Sequence, residues 1–284
     1  MGYMINLRGL LLTTLAILAF AGNSLLTRFG LAGTHMDAGQ FAAIRLVSGA
    51  MMLFVLTRRK AEPVMPMLTD LAGIFALFVY AETTTYASLT LNAATGTLIL
   101  FGVVQLTLAA NSAIRGAAPT GLKLAGVLIA FSGLVWMLLP RAVSPPLFAG
   151  LLMALSGASW GLYTLAGRVP GDPIVRTARN FIGAGALTVI WLIGSAWNLP
   201  PAQGVLSAMA SGAITSAIGY TIWYYAMPYL NVTTAGAAQL LVPVVVAAGA
   251  ALWLGEQIST EVTIAGVIIL GGIGLTLTGR RAAP

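Results

Sequence analysis

The chain has 284 residues, 58% of them hydrophobic and only 7% charged, with a mean hydropathy of +0.93. A soluble domain carries roughly 25% charged residues, so this composition excludes a water-facing globule and indicates an integral membrane protein. The absence of cysteine excludes disulfides and thiolate metal sites, and the net charge of +7 comes without a basic stripe interleaved with aromatics, so nucleic acid is not expected as a partner.

A spanning helix needs about 20 mostly apolar residues. Ten such runs follow one another, at 9–30, 38–57, 68–90, 93–114, 121–140, 147–168, 174–197, 204–227, 232–254 and 261–279, joined by short loops. The fold class expected is therefore an all-α integral membrane protein with ten transmembrane helices. Within the first run, Ala19-Phe20-Ala21 resembles a signal-peptide cleavage site. The apolar run continues past it, and cleavage would delete the partner of the sixth run, so it is read as a span. Arg8, Arg58, Arg59, Lys60, Arg115, Lys123, Arg168, Arg176, Arg280 and Arg281 fall on one side. The other side has only Arg141 in its loops, with Asp37, Glu256 and Glu261. Excess Lys and Arg marks the cytoplasmic side. Both termini are expected there, in a multi-pass protein of the bacterial inner membrane.

The chain repeats itself at about half its length. Tyr86-Ala87-Ser88-Leu89-Thr90-Leu91-Asn92 returns as Tyr225-Ala226-Met227-Pro228-Tyr229-Leu230-Asn231, an offset of 139. Arg45, Gly49 and Ala50 are echoed by Arg179, Gly183 and Ala184 at 134. Ala125-Gly126-Val127 is echoed by Ala265-Gly266-Val267 at 140. Three ordered echoes indicate a duplicated unit, with halves at 1–142 and 143–284. Five helices is an odd number, so the second copy enters the membrane upside-down relative to the first. Inverted repeats around a midplane site are the signature of secondary transporters.

The chain resembles the drug/metabolite transporter superfamily, EamA type. The marks are clearest in the second half: Trp160-Gly161, Leu240-Leu241-Val242-Pro243, and Leu254-Gly255-Glu256. The first half departs from the pattern, with Ala21-Gly22-Asn23 for Trp-Gly, Gln105 and no proline in the fourth run, and Ile114-Arg115-Gly116 for Leu-Gly-Glu. With Tyr- and Trp-rich third, sixth and eighth runs, these departures are similar to the YddG-type aromatic amino-acid exporters. The resemblance implies outward movement of amino acids and related amphipathic metabolites.

Glu82 is the one carboxylate well inside an apolar run. A charge there costs at least about 2.5–3.5 kcal/mol, so it faces a wet cavity, pairs with a cation or stays protonated. Its functional reading is a site for a substrate ammonium or a coupling proton; its structural reading is an arginine's partner. Arg28 is near a helix end and can snorkel. Arg45 and Arg179 lie about two turns into their helices, where they hold a carbonyl, a nearby acid such as Asp37 or Asp172, or a substrate carboxylate. Tyr80, Trp160, Tyr163, Tyr220 and Trp223 lie too deep for an interfacial belt. They suit a cavity for apolar or aromatic side chains, with cation–π attraction for an ammonium. Tyr86, Tyr225 and Tyr229 fit a belt. Asn23, Ser24, Gln105 and Gln239 are uncharged polar groups within spans, able to bond substrate or to join helices. Pro243 frees a carbonyl. Gly157-Ala158-Ser159-Trp160-Gly161 matches a serine-hydrolase pattern but lies inside an apolar helix, where it reads as a small-residue packing face. His35 is expected in a solvated loop.

The expected function is a secondary transporter, not an enzyme, exporting aromatic or other apolar amino acids across the inner membrane by alternating access. No cofactor or metal is expected, and the partners are the small-molecule substrate and the lipid bilayer around a monomer. The central cavity would be lined by runs one, three, four, six, eight and nine. The alternatives are a multidrug exporter with Glu82 binding lipophilic cations, a sugar-phosphate or nucleotide-sugar carrier, and a membrane enzyme or assembly scaffold.

Overall fold

The computed structural model describes residues 7–32, 34, 36–116, 121–138, 146–193, 199–230 and 232–278. Every regular element among them is helical. The helices are α1 (Leu7–Leu31), α2 (Ala38–Thr57), α3 (Leu71–Ala87, after a 3-10 turn at Leu68–Asp70), α4 (Ala93–Ile114), α5 (Leu122–Leu138) and α6 (Leu147–Ala166). They continue with α7 (Pro173–Trp191), α8 (Ala202–Tyr229), α9 (Val232–Gln239), α10 (Leu241–Leu254) and α11 (Thr260–Thr278).

Local chemistry sets several helix starts. Asp37 accepts from Gln40 N at 3.0 Å and caps α2. Asn92 accepts from Thr95 N at 2.8 Å and caps α4. Asp172 accepts from Ile174 N at 3.2 Å ahead of Pro173 and caps α7. Each side chain satisfies an amide that has no partner within the helix. The ninth apolar run is broken into α9 and α10 at Leu240. Pro243 has no N–H to donate to the carbonyl of Gln239, four residues earlier.

Five helices are long and apolar enough to cross a membrane: α1, α2, α4, α6 and α8. Shorter apolar helices run over Leu122–Gly133, Leu241–Leu254 and Thr260–Gly272. Their outer faces carry Leu11, Leu15 and Leu18 on α1, Met51 and Phe54 on α2, and Leu151, Leu155 and Leu162 on α6, all exposed. Apolar surface on this scale is incompatible with water, and the protein is a multi-pass membrane protein.

The interior is assembled by pairing across the two halves. α3 and α4 pack on α6, α2 on α7, α5 on α11, and α1 on α8 and α10. Glycines set the closest approaches. Gly157 faces the backbone carbonyl of Leu100, and Gly161 faces Thr107, so α6 lies directly on α4. The Gly157–Gly161 pair thus serves as a packing face. Gly212 of α8 faces the carbonyl of Arg45 on α2.

Candidate functional site

The deep aromatic residues converge on one point. Trp160 of α6 lies at the centre of a cluster contributed by α1, α3, α6 and α8. Its ring centroid is 4.6 Å from that of Tyr220, 4.9 Å from Tyr80, 5.1 Å from Phe20 and 5.3 Å from Tyr163. Phe20 also meets Trp223 edge-on at 5.5 Å, and Tyr163 stacks on Tyr224 at 5.1 Å. Most contacts are edge-to-face or tilted, as the ring quadrupoles prefer. Trp160, Tyr163, Tyr220 and Trp223 are all buried. In this arrangement the cluster is shut, and anything entering it must part the rings.

A polar network runs along one side of the rings. Asn23 donates from Nδ2 to the Tyr80 hydroxyl at 3.2 Å and to the Tyr220 hydroxyl at 3.4 Å. Its Oδ1 accepts from Ser211 at 2.6 Å and from Ser216 at 3.1 Å. Tyr220 donates to Tyr80 at 3.2 Å. Arg45 donates from Nη2 to the Tyr220 hydroxyl at 2.7 Å and from Nε to Ser216 Oγ at 3.1 Å. Its guanidinium also lies over the Tyr80 ring, 5.3 Å from the centroid.

Backbone geometry explains how both serines reach one oxygen. Ser211–Ile218 is a π-helical stretch inside α8. In an α-helix, residues five apart point to different faces. The i→i+5 turn of a π-helix brings them to the same side, so Ser211 and Ser216 both address Asn23.

The other predicted residues divide. The Trp160 indole donates from Nε1 to Gln239 Oε1 at 2.6 Å, tying the cluster to the broken end of α9. Glu82 accepts from Thr188 of α7 at 2.8 Å through Oε1, while its buried Oε2 has no partner. None of the ion pairs of the described residues includes Glu82. Nearby, Ser156 Oγ donates to the Tyr80 carbonyl at 3.2 Å and shares a very short contact with Thr84 Oγ1. Gln105 lies against Gly236 of α9, with Nε2 unpartnered. Ser24 bonds back to the Phe20 carbonyl of its own helix, at 3.3 Å, rather than into the network. The Tyr163 hydroxyl and Trp223 Nε1 are buried without partners. His35 and Arg141 lie outside the described residues.

Sequence reasoning missed Phe20, Ser211, Ser216 and Thr188 as members of the site, and it left Arg45 outside the aromatic cluster. For two of them a signal existed. Phe20 is three residues before Asn23, and Ser216 is four before Tyr220, so each shares a helix face with a residue already singled out.

Bundled apolar helices around a buried aromatic and polar core define a polytopic helical membrane protein. The sequence profile of the EamA-like transporter family matches residues 147–278. An uncharacterised protein of Pseudomonas aeruginosa is 46% identical over 279 residues, covering 97% of both chains. An uncharacterised transporter of Archaeoglobus fulgidus is 25% identical, covering 94% of this chain and 96% of its own. A Streptantibioticus cattleyicolor protein named "Probable terminal-alkyne amino-acid exporter" is 24% identical, covering 90% of this chain and 88% of its own. A crystal structure with 22% identity superposes with a TM-score of 0.70, over 96% of this chain and 99% of that one. The chain belongs to the drug/metabolite transporter superfamily, EamA type.

Proposed function

We propose that the protein is a secondary transporter of the bacterial inner membrane that exports amino acids, aromatic ones foremost, by alternating access. The observation that carries this reading is the buried ring cluster of Tyr80, Trp160, Tyr163, Tyr220 and Trp223, bonded to Asn23 and Gln239, with a buried Glu82 on the same helix as Tyr80. Rings suit an apolar or aromatic side chain, and Glu82, with an oxygen to spare, suits a substrate ammonium or a coupling proton. The relative named as an amino-acid exporter agrees with that cargo.

Alternating access follows from a symmetric architecture of ten spans in two inverted halves, 1–142 and 143–284, with α9 and α10 forming one broken span. The packing supports it. Exchanging each helix for its counterpart in the other half turns the α3–α6 contact into α8–α1, α4–α6 into α9/α10–α1, and α3–α7 into α8–α2. All of these pairs are in contact. α2–α7 and α5–α11 exchange into themselves. Two near-equivalent halves give two near-equivalent states, one open to each side. On this reading both termini are cytoplasmic and one copy of the chain suffices.

The test is uptake of labelled amino acids into liposomes containing the purified protein, with and without a pH gradient, beside a sugar phosphate and a lipophilic cation. Saturable movement of phenylalanine, tyrosine or tryptophan, lowered at least about tenfold by Trp160→Ala, is the expected result. Dependence on the gradient would assign proton coupling, with Glu82→Gln abolishing it. Movement of the cation alone would replace this reading with multidrug export.

A further inference from the structure

Arg45 is fully buried, at 0% exposure, two turns into α2. A guanidinium offers five N–H donors and keeps its charge in proteins. Here Nε and Nη2 are used on neutral hydroxyls, those of Ser216 and Tyr220, while Nη1 is buried with no partner. The ion pairs of the described residues join Arg28 to Glu256, Lys60 to Asp172, and Arg179 to Glu62 and Asp70. Arg45 is in none of them. A buried cation with no carboxylate in contact is costly, and hydroxyl dipoles with a ring face offset only part of that cost.

The matched arginine of the second half shows that this is not a general need of the position. Arg179 donates from Nε at 2.9 Å and from Nη2 at 2.7 Å to the carbonyl of Pro63, and two carboxylates lie within 4.0 Å. The connection before α3 folds over Arg179 and satisfies it. At Arg45 the space beside the guanidinium is occupied by the aromatic cluster instead. Tyr80 and Tyr220 belong to both the ring cluster and the Arg45 network.

From this we infer that Arg45 receives the carboxylate of the transported amino acid, with Nη1 as the free donor and the neighbouring rings holding the side chain. The inference rests on the amino-acid reading above and extends it to a zwitterion. The α-carboxylate meets Arg45, and the ammonium is left for the unpartnered oxygen of Glu82. A guanidinium and a carboxylate match as a planar two-bond pair, which the present hydroxyl partners do not provide. Tyr220 and Ser216 are then positioning residues: they hold the guanidinium in place until the substrate arrives. Substrates lacking the carboxylate are discriminated against, although they fill the aromatic cluster equally well.

The experiment compares L-phenylalanine with L-phenylalaninamide, at a pH where both carry the ammonium group. Binding to purified protein is measured by displacement of labelled L-phenylalanine and, for the amide, by direct calorimetry. The wild type is expected to bind the acid about 10- to 100-fold more tightly than the amide. Arg45→Gln should weaken the acid by that factor and leave the amide unchanged, so that the preference disappears. Arg45→Lys should restore part of it. Equal binding of acid and amide by the wild type overturns the inference, as does an equal loss of both ligands in Arg45→Lys. If Arg45→Gln fails to fold, the wild-type pair and Arg45→Lys still decide. If the wild type binds neither amino-acid ligand but binds tetraphenylphosphonium, the amino-acid reading itself fails, and this inference with it.

Discussion

On the face where α1 and α3 end, Arg28 donates from Nε to Glu256 at 2.8 Å and from Nη1 to the Ser88 carbonyl at 2.9 Å. The second Glu256 oxygen accepts from Ala93 N at 2.8 Å, at the start of α4. One ion pair thus joins the ends of α1, α3, α4 and α10. On the opposite face, near the start of α1, lies Arg168, after α6. It donates to the Leu230 carbonyl at 3.3 Å and reaches Met227 Sδ at 3.8 Å, while its Nε is buried without a partner. Burial pushes its pKa below the ordinary arginine value. The difference begins in sequence: Gly255 (φ 63°) is followed by Glu256, whereas Gly116 (φ 76°) is followed by Ala117. Only the first of these two stretches supplies the acid. The second face relies instead on Lys60 and Tyr225, which donate to Asp172 at 2.8 and 3.0 Å. Arg28 and Glu256 are 22% and 13% exposed, Lys60 and Asp172 44% and 22%. Water screens the second pair more, so it ties its face together less strongly.

The largest effect should come from Arg28→Ala. It strands a half-buried Glu256 and frees the Ser88 carbonyl, at about 2–3 kcal/mol in thermal unfolding followed by tryptophan fluorescence. A loss no greater than that of Arg168→Ala would show that the two faces are held equally firmly. Arg168→Ala removes long contacts to neutral acceptors and should cost about 1 kcal/mol. Because the chain has no cysteine, single-cysteine labelling can report which face opens. Arg28→Ala should raise labelling from the α1–α3 end, and Arg168→Ala should raise it from the other.

Smaller still is the acid response of Asp172. Burial would raise its carboxyl, but hydrogen bonds from Lys60, Tyr225 and the Ile174 amide outweigh that and hold it below the ordinary 3.8. A lowered folded-state pKa contributes stability that is complete above the ordinary value and fades as pH falls through the folded one. Asp172→Asn should therefore shrink the loss of Tm on acidification between about pH 5 and pH 3. The hydrogen bond to Asp172 raises Lys60, so on its alkaline side the pair is intact below 10.5 and weakens as pH rises past it. The least change, under about 2 °C in Tm, is expected from salt. Salt should loosen Lys60–Asp172 and leave the drier Arg28–Glu256 pair nearly untouched.

Much of the fold was legible without coordinates. Seven of the ten apolar runs match the helices at both ends to within two residues. Two others stop short: α3 ends at Ala87 and α7 at Trp191, where the expected runs continue to 90 and 197. The run that breaks does so where Pro243 requires. The residues singled out as aromatic lining, Trp160, Tyr163, Tyr220 and Trp223, are buried together. Rotation about the helix axis was not. Ser24 and Asn23 are adjacent, yet only Asn23 joins the network. Tyr225 reads as a belt residue but holds Asp172. Arg45 and Arg179 look alike in sequence, and only their surroundings distinguish a cation beside carboxylates from one held by hydroxyls and a ring.

Hydropathy is a local property of the chain, so composition alone settled that the protein lives in a membrane and roughly where each helix runs. In lipid, the outside of a helix is as apolar as its packed side, so the periodicity that would orient it is faint. Which polar group meets which was therefore decided only by tertiary packing. The π-helical turn aims two serines at Asn23, the close approach at Gly212 seats α8 against Arg45, and the Arg45 guanidinium comes to lie beside rings rather than beside an acid.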